Sequence, residues 1–184
     1  MQNLAEAITR GELNCKIQCV ISSNPKAYGN VRAENLKLPF HLITRKECGT
    51  IENFSAKIIS TLRQYDVDLV IMAGFLALWT LPEEWLPPHG RVMNIHPALL
   101  PKFGGKGMHG HHVHEAVLAA GEKESGCTVH YADNKYDNGP VIVQKRVPVL
   151  PNDTADTLAA RVFEQECVAY PEAIRIHMEA LKRC

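Results

Sequence analysis

Two patterns of apolar residues alternate along this chain, one spaced for a helix face and one nearly continuous. Leu4, Ala5 and Ile8 share a face of a helix predicted over Gln2 to Arg10, which Gly11 stops. Lys16 to Ser22 reads as a strand entering a turn at Ser23-Asn24-Pro25, followed by a helix from Gly29 to Leu36 and a strand from Pro39 to Ile43. Ile51, Phe54, Ile58, Leu62 and Tyr65 then fall at helical spacing, with Thr50 as N-cap. Val67 to Ala73 is almost unbroken apolar sequence, the pattern of a parallel strand covered on both faces, and Gly74 ends it. Arg91-Val92-Met93 ends another buried strand. A helix from His114 to Ala120, a strand from Cys127 to Tyr131 and a returning strand from Val141 to Val149 follow. The last segment is helical, capped by Asp153 or Thr154, with Leu158 and Val162 inward; Pro171 is expected to break or restart it before Ile174, Met178 and Leu181.

Strands alternating with helices define an α/β fold, a mostly parallel twisted sheet flanked by helices with an antiparallel addition late in the chain. A length of 184 residues suits one domain, 1–184, with a full core. Apolar content of 46% with 22% charge is that of a soluble globular protein. Twenty basic and twenty acidic residues cancel, so neither a nucleic acid nor an anionic membrane is an expected partner. No apolar run is long enough to span a bilayer and the first residues carry no secretory pattern, so the expected location is the cytoplasm. Cys15, Cys19, Cys48, Cys127, Cys167 and Cys184 form no CxxC pair, and most read as small core hydrophobes.

Candidate chemistry gathers after the strands, because ligands in such sheets bind beyond the strands' carboxyl ends. Asn94 and His96 stand two residues apart in an extended segment, so they project on one face. Pro97 holds His96 extended and Pro101 closes the segment. An amide donor beside a titratable ring suits a reaction in which an oxygen gains negative charge while a proton moves. A strand end with a polar edge is the plainer reading. The apolar loop Gly74 to Trp79 is fit to bury a flat heterocycle, and the loop Ala132 to Pro140 brings Asp133 and Asp137 towards His96. A carboxylate there would favour the charged imidazole; acidic residues before Asn138-Gly139 are equally ordinary turn formers.

The ordered set Ala73-Gly74-Phe75, Met93 to Pro101, Gly126 to His130, Asp137 to Ile142, Gln165-Glu166 and Tyr170-Pro171 resembles the glycinamide ribonucleotide transformylases, over essentially the whole chain. The resemblance implies a Rossmann-like formyltransferase fold and transfer of a formyl group from 10-formyltetrahydrofolate to the amine of glycinamide ribonucleotide in purine biosynthesis. It implies three catalytic residues: protonated His96 polarising the formyl oxygen, Asn94 holding it, and Asp137 keeping His96 charged. Leu76, Ala77, Leu78 and Trp79, with Asn94 and Asp133, would contact the folate. Pro97, Gly110 and Glu166 would contact the nucleotide, Glu166 at its ribose. No metal is implied, the partners are small molecules, and the assembly is a monomer or homodimer.

Family members open with an apolar strand and a loop that cradles the substrate phosphate; Met1 to Leu4 corresponds to the helix after it, so the domain reads as N-terminally shortened, with strand edges exposed on both sides. Ile51 falls near a position where some members place an arginine towards the cofactor. Phe103 to Met108 lacks the Gly-Lys-Ser/Thr ending of a P-loop and reads as a flexible flap whose Lys106 attracts anions. His109, His111, His112 and His114 have no Cys or carboxylate at supporting spacing for zinc. His114 reads as packing near a helix start, His130 as a hydrogen-bonded core residue, and Trp85 with Pro87-Pro88 as a surface turn. A hydrolase of the same superfamily, releasing formate, and a folate-binding remnant without activity are the alternatives; the His96-Pro97 pair and Glu166 favour the transferase.

Overall fold

The computed structural model describes residues 1–88 and 90–182; Cys184 lies outside them. The elements in order are α1 (Gln2–Thr9), β1 (Val20–Ser22), α2 (Tyr28–Asn35), β2 (Phe40–Leu42), α3 (Arg45–Cys48), α4 (Ile51–Gln64), β3 (Val70–Met72), a 3-10 turn (Glu83–Trp85), β4 (Val92–His96), α5 (His111–Ala119), β5 (Glu124–Tyr131), β6 (Val141–Pro148) and α6 (Ala155–Leu181). Strands and helices alternate as the apolar pattern requires, with short α3 added.

The strands form two sheets. β1 pairs with β2 in parallel, and β3, β4, β5 and β6 lie side by side in that order. β3 and β4 are parallel, while β5 and β6 are antiparallel, the late addition the sequence predicts. β1 and β3 are three residues each, shorter than the apolar runs that predict them, because each has a neighbour on one side only. A cleft of about 900 Å³ lies between them.

Two apolar clusters hold these layers. In the first, Leu4 and Ala7 of α1 meet Val117 of α5, Met93, Cys127 and Val129 of the sheet, and Leu158 and Val162 of α6. In the second, Phe54, Ile58 and Leu62 of α4 pack on Trp79, Leu81, Trp85 and Val92. Thr50 caps α4 by accepting the Asn53 N–H at 3.2 Å. Phe54 is fully buried, which contributes about 1.5–3 kcal/mol. Trp85 is buried in this cluster, not part of a surface turn: the polar Glu83 and Glu84 beside it face out while the indole packs edge-on against Trp79. Of the five described cysteines only Cys127 is buried; Cys15 is exposed and the others half-buried, which corrects their reading as core residues.

The Pro171 expectation also fails. α6 runs unbroken through it. Proline has no N–H, so the Cys167 carbonyl four residues earlier loses its helical partner. The Asn3 side chain of α1 donates to that carbonyl at 2.8 Å, and Pro171 itself is buried. Tertiary contact replaces the missing helical bond. The capping box of Thr154 and Thr157 starts the same helix.

Candidate active site

Asn94 and His96 leave the same face of β4, as their spacing requires. The antiparallel register of β5 places His130 opposite Asn94 and Thr128 opposite His96. Four polar side chains thus gather at the end of β4.

Asp137 reaches them from the β5–β6 connection. Its backbone is left-handed (φ 50°), a conformation Asp tolerates better than most residues. Two residues on, a Cβ at Gly139 would overlap the Tyr131 carbonyl, so only glycine lets the connection turn back this closely. The Asp137 side chain is 9% exposed. Its Oδ2 accepts the Gly105 N–H at 3.0 Å and lies 3.4 Å from His96 Nδ1. Its Oδ1 accepts from Asn94 Nδ2 at 3.3 Å and lies 3.7 Å from His130 Nε2. Burial pushes this carboxyl up, but the His130 ring, the Gly105 N–H and the His96 ring together bring it below its ordinary value.

His96 is anchored at one nitrogen and open at the other. Nε2–H donates to the Phe103 carbonyl at 2.8 Å, while Nδ1 stands at 3.4 Å from the carboxylate. That is longer than the 2.7–2.9 Å of a tight charge-assisted bond. Burial lowers the imidazole below its ordinary value; Asp137 and the Phe103 carbonyl oppose this without cancelling it. His130 has its Nδ1 at 2.9 Å from the Tyr131 carbonyl, so that nitrogen carries the proton and Nε2 accepts from Asn94 at 3.3 Å. It is a hydrogen-bonded core histidine, as expected, and also a wall of the site.

The segment after His96 is fixed from beneath. Buried Thr128 donates to the Ala98 carbonyl at 2.7 Å, accepts the Leu100 N–H at 3.1 Å and accepts from Gln144 Nε2 at 2.9 Å. Gln144 also donates to the Leu100 carbonyl at 3.1 Å. Replacing Thr128 by Val keeps the shape and leaves several polar groups without this partner. The expected cost is about 1–3 kcal/mol, read as a lower melting temperature and a lower kcat; an unchanged melting temperature would show that the segment is held by other means.

The remaining predicted residues are placed as follows. Leu76 is exposed, but the Trp79 indole is buried in the second cluster and donates to Met72 Sδ at 3.4 Å, so its side chain supports the loop. Asn134 latches that loop to the next one, accepting the Leu81 N–H at 2.7 Å. The Asp133 carboxylate is taken by the Lys135 N–H and the Asn138 amide within its own turn. Pro97 follows His96, and Gly110 caps α5 with a positive φ of 57°. Ile51 is the first residue of α4. The Phe103–Met108 loop is tied to the site through the Phe103 carbonyl and Gly105 N–H, while Lys106 is exposed. His114 is buried on α5 near His96 and His111, with Nδ1 unpartnered. Among the described residues no group of three His, Cys, Asp or Glu is placed to hold a metal ion, and no helix is long and apolar enough to cross a membrane.

Glu166 stands apart from Asn94, His96 and Asp137, beside Cys127, Cys167 and Tyr170. Burial pushes its carboxyl up to about 7. A folded-state value above the unfolded one means its contribution to stability is present at low pH and lost as pH rises through 7. Glu166→Gln should therefore leave the melting temperature unchanged near pH 4 and raise it above pH 7. Equal melting curves at pH 8 would show that the charge is solvated.

The fold is that of a formyl transferase: the match to that family covers residues 1–174, and the chain belongs to it. It is 38% identical over 174 residues to the chloroplastic phosphoribosylglycinamide formyltransferase of Vigna unguiculata, covering 94% of this chain and 55% of that protein. It is 33% identical over 183 residues to the phosphoribosylglycinamide formyltransferase of Haemophilus influenzae, covering all of this chain and 84% of that protein. The solved phosphoribosylglycinamide formyltransferase of Coxiella burnetii superposes with a TM-score of 0.82 at 38% identity, over 94% of this chain and 78% of that one. The chain thus spans about half of the plant relative and most of the bacterial ones.

Thr128, Gln144 and Asn134 carried no signal in the sequence as site residues. Only strand register and loop packing bring them in.

Proposed function

We propose that this chain transfers a formyl group from 10-formyltetrahydrofolate to the amine of glycinamide ribonucleotide, with Asn94, His96 and Asp137 as catalytic residues. The observation that carries this reading is the shared carboxylate: Asp137 meets Asn94 through one oxygen and His96 through the other. The family match and the relatives' names support the substrates.

The substrate nitrogen attacks the formyl carbon, forming a new C–N bond, and the carbonyl electron pair moves onto oxygen. His96, charged through Nδ1 with Nε2 held by Phe103, donates towards that oxygen beside Asp137. Asn94 adds a second donor; its two present bonds of 3.3 Å are long for N–H donors, so re-aiming the amide loses little. The oxyanion collapses, the bond to folate N10 breaks, and the proton leaving the amine balances the one taken by N10. Burial of the site strengthens each of these interactions. Leu76 to Leu78 and the 132–137 turn would flank the pterin, Pro97, Gly110 and Glu166 the nucleotide. This chemistry proceeds without a metal, and the protein acts as a monomer or homodimer in the cytoplasm.

The test is folate turnover by the purified chain with and without glycinamide ribonucleotide. Turnover that requires the amine supports transfer. Formate release without it would assign hydrolysis, and binding without turnover would leave a folate-binding protein.

A further inference from the structure

The two loops that flank the site meet at one side chain. Leu81 N–H donates to Asn134 Oδ1 at 2.7 Å, and Asn134 Nδ2 donates back to the Leu81 carbonyl at 3.4 Å. Among the described residues no other hydrogen bond joins the 74–81 loop to the 132–140 turn. Each is otherwise tied to its own side of the fold. Ser55 of α4 holds the foot of the first: its Oγ accepts the Thr80 N–H at 2.8 Å and donates to the Ile51 carbonyl at 2.7 Å. β4 holds the start of the second, where the Val92 carbonyl accepts the Ala132 N–H at 2.8 Å.

The turn beyond that point is stiff. Asp133 accepts the Lys135 N–H through one oxygen and the Asn138 amide through the other, so residues 133–138 move as a unit. Asp137 belongs to that unit. Its distances to Asn94, His96 and His130 are 3.3, 3.4 and 3.7 Å, long for hydrogen bonds. A small swing of the turn therefore decides whether these contacts hold.

We propose that Asn134 is a positioning residue: it fixes the turn that bears Asp137 against the foot of the facing loop, and so sets both the width of the slot for the flat ring of the folate and the place of the carboxylate beside His96. The occupant of the slot rests on the formyl-transfer reading; the hold on Asp137 does not. The amide suits this task through its polarity, offering an acceptor to an N–H and a donor to a C=O as a neighbouring strand would. Asn134→Asp keeps the shorter bond but turns its second oxygen on the Leu81 carbonyl. Asn134→Ala keeps neither.

The experiment compares these two variants with the unaltered 184-residue chain. Asn134 is exposed, so the fold should survive, with the melting temperature lower by no more than about 2–4 °C. Amide hydrogen exchange of the free proteins comes first. In Asn134→Ala, exchange should quicken about fivefold, the equivalent of one net hydrogen bond, at Leu81 and also at Gly105, whose N–H is bonded to Asp137 and not to Asn134. Formyl transfer comes second. The KM for 10-formyltetrahydrofolate should rise about fivefold, and the descending limb of kcat against pH should move to more acid values, as it would if His96 lost its carboxylate. Asn134→Asp should restore Gly105 protection and the position of the limb. Faster exchange at Leu81 alone, or a raised KM with an unmoved limb, would confine Asn134 to its own loop and overturn the proposal. Turnover that persists while Gly105 ignores the substitution would overturn it and leave the formyl-transfer reading standing. A chain that neither binds nor consumes the folate, yet shows the Gly105 response, would sink that reading and still support the hold on Asp137.

Discussion

His96→Ala should lower kcat by about 10²–10⁴-fold while folate binding changes little. The side chain is buried, with Nε2 held by the Phe103 carbonyl and Nδ1 left open 3.4 Å from Asp137. Removing it takes away the donor for the developing oxyanion but not the loop walls. The measurement is single-turnover formyl transfer together with folate titration by fluorescence. Loss of binding equal to the loss of rate would make His96 a structural residue. Thermal denaturation adds a second readout. A histidine whose folded-state value is lowered resists charging, so stability is present above the ordinary histidine range and falls as pH drops through it. That slope between pH 7 and 5 should flatten in the alanine variant.

Asp137→Asn should cost about 10²-fold in kcat near neutrality and move the pH profile in a defined direction. Burial lowers His96, and Asp137 is the largest influence opposing it. Without the carboxylate charge the imidazole loses its proton at still lower pH. If the charged form is the donor, the descending limb of kcat against pH moves to more acid values, and activity recovers partly on acidification. The asparagine still offers an oxygen to the Gly105 N–H, so the loop should remain in place. Unchanged limb position with reduced kcat would mean that Asp137 only positions its neighbours.

How much of this was legible in the sequence depends on the range of the interaction. Asn94 and His96 could be paired from spacing alone, because a strand repeats every two residues whatever surrounds it. Thr50, and Asp153 or Thr154, could be named as caps because a capping bond reaches only three residues along the chain; the structure gives the second cap to Thr154. His130 and Thr128 could not be placed in the site, since only the β4–β5 register makes them opposite Asn94 and His96. Apolar runs such as Val67 to Ala73 mark what is able to be strand; the partner decides how much becomes one. Pro171 obeys local chemistry in losing its bond, yet Asn3, distant in sequence, supplies another. Trp85 misled because charged neighbours in a short 3-10 turn leave one face free to enter the core.

Tyr170 has a consequence in time. Its hydroxyl reaches the Met72 carbonyl at 2.7 Å and the Met93 carbonyl at 3.1 Å, fastening α6 across β3 and β4 from a point 77 residues beyond Met93. A ribosome adding about 5–20 residues per second exposes the strand that bears His96 on the order of ten seconds before it can make the residue that locks it. For that interval the nascent chain holds an apolar, unfinished sheet, and the interval is when a chaperone would have most to shield.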